Sequence, residues 1–159
     1  MENIYSDIMI RELKDMRLAS YSIFSNNDEE EAISFIKNWV SKKGLDSKKL
    51  RYFGIDLPLT ERQRQEGVRG YEYCVTIPND ITESDGVKIK NIPAGKYAVL
   101  RITDPFQNPM ETIPLGYKRL YDWWIKSEYK NFCNPTKQIL EEIIEDESKT
   151  YMDIYFPIE

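Results

Sequence analysis

The sequence contains no histidine and only two cysteines, and both scarcities limit its chemistry. Histidine is the commonest general base near neutral pH and a common zinc ligand. Cys74 and Cys133 lie far apart and form no CxxC motif, so we interpret each as a buried free thiol. We therefore predict no metal site and no cofactor, and we expect any hydrolytic activity to be metal-independent.

A long apolar run and a basic block are also missing. No segment approaches the roughly 18 consecutive apolar residues that a membrane-spanning helix needs, and the N-terminus lacks a signal-peptide pattern. The net charge of −5, without a basic cluster, argues against a phosphate-binding face for nucleic acid. These absences predict a soluble, cytoplasmic protein that binds neither membranes nor nucleic acid directly.

Aromatic residues, in contrast, are abundant and make up 13% of the 159 residues. A chain of this length predicts one domain, residues 1–159, with a single substantial core. Such a core needs fewer aromatic side chains than the chain contains. We therefore expect some of them to line a surface or a cavity.

The chain contains an internal repeat. Residues 8–23 (IMIRELKDMRLASYSI) align with residues 87–102 (VKIKNIPAGKYAVLRI), 79 positions later. Arg11 then matches Lys90, and apolar residues match at several further positions. Each segment reads as two extended pieces around a short break, which is typical of strands.

Each half also predicts one amphipathic helix. The first is capped at Asn27 and ends at Gly44, and the second begins near Thr112 with Pro114 in its first turn. Their apolar stripes share one spacing: Ala32, Phe35, Ile36, Trp39 and Val40 in the first, and Tyr117, Leu120, Tyr121, Trp124 and Ile125 in the second. Trp39 and Trp124 therefore occupy equivalent positions, and the simplest interpretation of both is core packing.

Each half closes with a strand that ends in proline, VTIP in the first half and IYFP in the second. One further strand precedes it, which in the second half is QILEEIIED, residues 138–146; residues 56–70 are predicted to be a polar loop. The order is thus β-α-β-β, with pseudo-repeats at about residues 7–79 and 86–158. This order predicts an α+β fold: tandem β-α-β-β repeats form one curved, largely antiparallel sheet, with both helices on one face and a ligand cleft on the other.

Alternation along a strand assigns side chains to two faces. The last strand divides into an apolar, helix-covered face and a polar, open face: Met152, Ile154 and Phe156 against Tyr151, Asp153 and Tyr155. The repeat places Glu72, Cys74 and Thr76 on the open face of the first half. Tyrosines beside carboxylates suit an aromatic or cationic guest. They equally suit a solvated sheet face on which tyrosine is present for its β-propensity.

The sequence resembles the GyrI-like family, also called the AraC-type effector-binding domain, which includes the drug-binding regions of multidrug-sensing transcription regulators. The resemblance covers roughly residues 7–158 and depends on RYFGIDLP, IPAGKYAVLRI, LYDWW and YMDIYFPIE in this order. It implies a duplicated β-α-β-β fold with a ligand cleft between the halves. Regulators of the family carry a DNA-binding helix-turn-helix domain before this one; because our chain begins at the first strand, we expect a standalone module.

The resemblance also implies a cleft glutamate. The family places it in a segment of the form Glu-x-Tyr followed by an acidic turn, which matches Glu141, Glu142 and Ile143 here. The match implies that Glu141 faces the cleft and that Glu142 lies on the other side or at the rim. Ile143 replaces the family's tyrosine, and the segment ITDPFQNPMETIPLG lacks a histidine-glycine pattern common in the family. One wall and the rim of the cleft are therefore expected to differ.

The leading hypothesis is a binding protein for bulky, flat, often cationic aromatic small molecules. Glu141 is the charged anchor, and aromatic rings form the walls. Trp123 lies off the helix stripe and either borders the cleft or lies in solvent. The predicted ligand-binding residues are Glu141, Trp124, Trp123, Tyr151, Tyr155, Asp153, Glu72 and Ile143.

Two alternatives remain open at this point. The first is a hydrolase of cyclopropane-containing toxic compounds, which the resemblance implies for some relatives. It uses Glu141 as general base and Tyr155 as proton donor. The second is a protein-interaction module of the DNA gyrase inhibitor type, in which the acidic net charge mimics DNA and a protein is the partner.

Overall fold

The computed structural model describes residues 3–82, 86–130 and 137–159. The elements of the first half are β1 (Met9–Leu13), β2 (Met16–Ser25), α1 (Asp28–Lys42), a 3-10 turn (Ser47–Lys49), β3 (Tyr52–Asp56), α2 (Glu61–Gln65) and β4 (Arg69–Thr76). Those of the second half are β5 (Lys88–Ile92), β6 (Gly95–Thr103), α3 (Pro109–Lys126), β7 (Leu140–Asp146) and β8 (Lys149–Pro157). The predicted α+β class is confirmed, and so is the tandem β-α-β-β order, as β2-α1-β3-β4 and β6-α3-β7-β8. Within the segment QILEEIIED, Leu140–Asp146 forms a strand, so the prediction of a strand here is confirmed.

The first compact unit is Asp15–Pro93. Among its described residues, antiparallel strands lie in the order β3-β4-β2-β5. Helix α1 packs on β2 and β4 and buries four of its five predicted stripe residues, Ala32, Ile36, Trp39 and Val40. The helix starts after Asn27, and the chain turns at Gly44 with a positive φ of 70°. Both ends agree with the prediction.

The second compact unit joins Met1–Lys14 to Ala94–Glu159. Its described strands are antiparallel in the order β1-β6-β8-β7, and α3 packs on β6 and β8. The helix approaches β6 closely at Gly116, where a Cβ atom would lie 2.8 Å from Cδ1 of Ile102. Glycine at this position allows the helix to pack directly on the strand.

The short strands β1 and β5 exchange partners between the halves. Strand β1 pairs with β6, with Leu13 opposite Gly95, and β5 pairs with β2, with Ile92 opposite Met16. A hairpin within each half would instead pair β1 with β2 and β5 with β6. The repeat in the sequence predicts the two extended pieces in each half, but it does not indicate this exchange.

Helix α3 differs from its prediction at its start. It begins at Pro109, after Asn108 as N-cap, and not near Thr112; Pro114 therefore lies inside the helix. The Asn-Pro pair is itself a recognised start signal, because proline at the first helical position lacks only a hydrogen bond that is missing there anyway.

The buried stripe of α3 also lies further round the helix than predicted. Tyr121 and Ile125 are exposed, and the buried positions are Thr112, Gly116 and Leu120. Thr112 and Gly116 are small and contribute little hydrophobicity to the pattern. A stripe predicted from the large apolar residues is therefore displaced from the face of α3 that is buried. In the predicted polar loop, moreover, residues 61–65 form α2, which Thr60 and Gln63 cap reciprocally.

Candidate functional site

Glu141 and Glu142 are both nearly buried, at 8% and 5% exposure. Glu141 lies opposite Ile154 and Glu142 opposite Asp153, and directly opposed residues of an antiparallel pair share a face. Ile154 belongs to the core under α3, together with Leu120. Glu141 therefore lies on the face that carries α3, and Glu142 lies on the opposite face.

The residues that flank Glu141 on its face of the sheet include apolar and aromatic side chains. Ile143 lies opposite Met152 and packs against the same core as Phe156. Phe156 is the diagonal neighbour of Glu141 across the strand pair, a relation that places Cβ atoms about 7–8 Å apart. Aromatic side chains interact across such a distance, so the Phe156 ring is within reach of the Glu141 side chain.

Helix α3 adds two tryptophans to this environment. The Trp124 ring lies 5.7 Å from the Phe156 ring, and Trp123 stacks on Tyr129 with 6.2 Å between centroids. Both tryptophans pack against the core under α3 and remain partly accessible. We refer to the five residues Glu141, Ile143, Trp123, Trp124 and Phe156 as the Glu141 face.

The opposite face of the second unit carries a buried polar network. Arg101 donates to both oxygens of Asp153, at 2.8 and 3.0 Å, and Arg11 lies 3.4 Å from the same carboxylate. The bond to Asp153 raises the pKa of Arg101 above its ordinary value. The Tyr155 hydroxyl donates to Glu142 at 2.9 Å. Asp153 has no exposed surface and Tyr155 only 1%.

The register therefore divides the predicted ligand residues of this unit between two faces. The first group, on the Glu141 face, is Glu141, Ile143, Trp123 and Trp124, and the second, on the opposite face, is Tyr151, Asp153 and Tyr155. Glu141 therefore does not share a face of the sheet with Tyr151, Asp153 and Tyr155. Buried ion pairs and a solvated surface produce the same alternation of polar residues, so sequence does not distinguish them.

The predicted catalytic pair is not brought together either. Glu141 and Tyr155 lie on opposite faces of the sheet, and the Tyr155 hydroxyl is bonded to Glu142. Tyr151 contacts the network through its ring, which lies 5.1 Å from the Arg101 guanidinium. The second group thus forms an internally bonded cluster.

Glu72, the remaining predicted ligand residue, belongs to the first unit and lies on the face away from α1. It accepts a hydrogen bond from the Ser20 hydroxyl and pairs with the Lys90 ammonium at 3.0 Å. The pairing matches the repeat, because Lys90 and Arg11 are equivalent positions and each meets a buried carboxylate. Neighbouring Cys74 is buried as predicted; burial and the charge of Glu72 raise its pKa to about 12. Cys133 lies outside the described residues.

Sequence reasoning missed a row of tyrosines on the face of the first unit that carries α1. The rings of Tyr52 and Tyr73 lie 5.9 Å apart, and those of Tyr71 and Tyr73 lie 6.3 Å apart. A side chain at Gly54 would occupy the place of the Tyr71 hydroxyl. The alternation of tyrosines in YEYC is the signal for this row in the sequence, because side chains two residues apart in a strand share a face.

A separate groove of about 380 Å³ lies in the second unit, where β1 ends and β6 begins. Its lining residues are Glu12, Leu13, Ala94, Gly95, Lys137 and Glu159. The Lys137 ammonium lies 5.8 Å above the ring of Tyr97. None of the predicted ligand residues lines this groove.

Within residues 3–82, 86–130 and 137–159, no group of three or more cysteine, aspartate and glutamate side chains is arranged to hold a metal ion. Over the same residues, no helix is long and apolar enough to cross a membrane.

Solved structures with this fold include the C-terminal domain of EcmrR, which is 18% identical, with a TM-score of 0.71 and 99% of both chains covered. The chain spans only 58% of the EcmrR chain seen in a complex with DNA, at 17% identity and a TM-score of 0.71, with 98% of our chain covered.

Two further structures are more distant. The protein SAV2435, bound to tetraphenylphosphonium, is 12% identical, with a TM-score of 0.59 over 97% of this chain and 94% of that one. A hydrolase from Listeria innocua is 9% identical, with a TM-score of 0.50 over 92% and 90%. At these identities the likeness shows a shared fold.

The sequence itself supplies the family. No curated protein matches it. The model of the GyrI-like small molecule binding domain, however, matches residues 6–159, which is nearly the whole chain. The chain belongs to the GyrI-like family of small-molecule-binding domains.

Proposed function

We propose that this domain binds bulky aromatic cations and that Glu141 is the anionic anchor of the site. The observation that carries the proposal is the position of Glu141, a carboxylate with 8% exposure on the face that carries α3. A carboxylate beside aromatic rings offers a bulky aromatic cation both a counter-charge and ring faces. Coulomb attraction to a cation is also stronger there than in water, because the effective dielectric constant is lower.

The aromatic side chains of the Glu141 face support the same ligand class. Trp124 and Phe156 lie in ring contact, and Trp123 presents a second indole on the same helix. Each ring face attracts a cation by about 0.5–2 kcal/mol, with the larger values in dry sites. A guest with flat rings and a delocalised positive charge would gain from both the rings and the carboxylate. SAV2435, which shares this fold at 12% identity, is bound to tetraphenylphosphonium, and this supports the same ligand class.

The proposal does not extend to the polar residues on the other faces. Asp153 and Glu72 pair with cationic side chains within their own units, so we assign neither of them to the ligand. The hydrolase hypothesis needs a proton donor beside Glu141, and Tyr155 donates to Glu142 instead. A cytoplasmic location and a protein partner stay predictions from the sequence.

The test compares two ligands of similar shape and different charge, tetraphenylphosphonium and neutral triphenylphosphine oxide, by isothermal titration calorimetry. We expect the cation to bind at least about tenfold more tightly, which corresponds to about 1.4 kcal/mol. Glu141→Gln should reduce this preference, and Glu142→Gln, with the matched position on the opposite face, should leave it. Equal affinity for the two compounds, or no binding of the cation, would reject the proposal.

A further inference from the structure

The two equivalent tryptophans of the repeat share an unusual feature. The indole N–H groups of Trp39 and Trp124 are both buried, and neither has a hydrogen-bond acceptor among the described residues. A buried donor without an acceptor destabilises the folded protein, and such groups are rare. Phenylalanine would fill much of the same space without this cost, so the donor at each position calls for an explanation.

The surroundings of the two rings differ. Trp39 is 2% exposed and lies within the core of the first unit, against Tyr71 and Tyr73. Trp124 is only partly buried. It lies between Phe156 and the exposed ring of Tyr121, at 5.7 and 5.9 Å between centroids. Trp124, a member of the Glu141 face, therefore combines a partly accessible ring with a buried N–H that has no acceptor among the described residues.

We propose that the indole N–H of Trp124 determines ligand specificity by donating a hydrogen bond to an acceptor atom of the bound guest. The inference rests on the proposed function and narrows its ligand class to aromatic cations that carry a carbonyl, ether or ring-nitrogen acceptor. The roles are complementary, because a carboxylate accepts hydrogen bonds whereas an indole only donates them. Ile143 and Phe156, the apolar members of the face, do neither. Glu141 thus selects for charge, and Trp124 selects for an acceptor.

The test uses tetraphenylphosphonium and its 4-acetyl derivative, which differ by one carbonyl acceptor and share the same charge. We expect the wild-type protein to bind the acetyl derivative about fivefold more tightly, the effect of one added hydrogen bond. Trp124→Phe should reduce the ratio of the two affinities to about one; the ratio is the measured quantity, because Trp124 also belongs to the Glu141 face and its replacement can alter both affinities. Trp39→Phe is the matched control and should leave the preference unchanged.

A second measurement uses the wild-type protein and so involves no substitution in the core. The sequence has three tryptophans, so an amide-nitrogen correlation NMR spectrum contains three indole N–H signals. The Trp124 signal should move downfield on adding the acetyl derivative and not on adding tetraphenylphosphonium. If wild-type protein binds both probes equally, or if Trp124→Phe keeps the preference, the inference is wrong while the proposed function stands. If neither probe binds, the proposed function fails and this inference fails with it.

Discussion

Replacing Glu141 with glutamine should weaken the binding of tetraphenylphosphonium by about tenfold or more. The substitution removes the charge and keeps the shape of the side chain. Glu142→Gln is the matched control, because the two residues are adjacent and similarly buried, at 8% and 5% exposure, but lie on opposite faces of the sheet. The control should change the affinity little.

The magnitude follows from Coulomb's law. A carboxylate and a phosphonium centre separated by about 6 Å attract each other by about 2.8 kcal/mol at an effective dielectric constant of about 20. Glutamine retains an amide dipole that recovers part of this attraction, and salt screens another part. A net loss of about 1.4 kcal/mol or more remains, which is a factor of about ten in the dissociation constant.

The assay is calorimetric titration of each variant with tetraphenylphosphonium and with neutral triphenylphosphine oxide, after circular dichroism has shown that both variants are folded. Glu141→Gln should affect the neutral compound much less than the cation. A larger loss for Glu142→Gln would place the guest on the face with Tyr155 and refute the assignment. If neither substitution alters the affinity, Glu141 is not an anchor.

Three further predictions concern stability and reactivity. Asp153→Asn should lower the free energy of unfolding, measured in urea, by about 3 kcal/mol. This is the low end of the cost of breaking a buried ion pair, because the side chains of its partners Arg11 and Arg101 are 37% and 38% exposed. The control is Glu66→Gln, which breaks the solvent-exposed pair of Glu66 with Arg62 and should lower the free energy of unfolding by under about 0.5 kcal/mol. Equal losses in the two variants would contradict the reasoning. In a Cys133→Ser protein, the Cys74 thiol, with a pKa of about 12, should resist disulfide reagents at neutral pH until denaturant is added; rapid labelling of folded protein would contradict its burial. Partial desolvation, and next the charge of Asp28, raise the pKa of Asp56, which keeps part of its surface exposed. The Asp56 charge therefore opposes folding fully above its folded-state pKa and not at all below its unfolded-state pKa of about 3.9. Asp56→Asn should therefore raise the melting temperature at neutral pH, and a gain that persists below about pH 3 would contradict this.

Local patterns in the sequence determined most of the fold. Helix α1 starts after Asn27 and the chain turns at Gly44, as the preferences of these residues for helix ends predict, although the Asn27 side chain makes no capping hydrogen bond. Strand β7 (Leu140–Asp146) follows from the repeat. These features depend on neighbours along the chain, so periodicity and turn residues suffice to predict them. The start of α3 was also encoded locally, by Asn108 and Pro109, although the larger apolar residues drew the prediction to Thr112.

Tertiary structure decided which residues share a surface. Alternation in the sequence shows that Glu141 and Glu142 point in opposite directions, but it does not show which of them joins the helix-bearing face. The pairing of Glu141 with Ile154 decides this, because a shift of one residue in register would move every side chain of β7 to the other face. In the same way, the sequence pattern predicts Asp153 on an open face. In the structure it is fully buried, and Arg101 and Arg11, from two other strands, lie beside it. Burial of a charge depends on partners distant in the chain, and those partners are brought together only by the paired sheet.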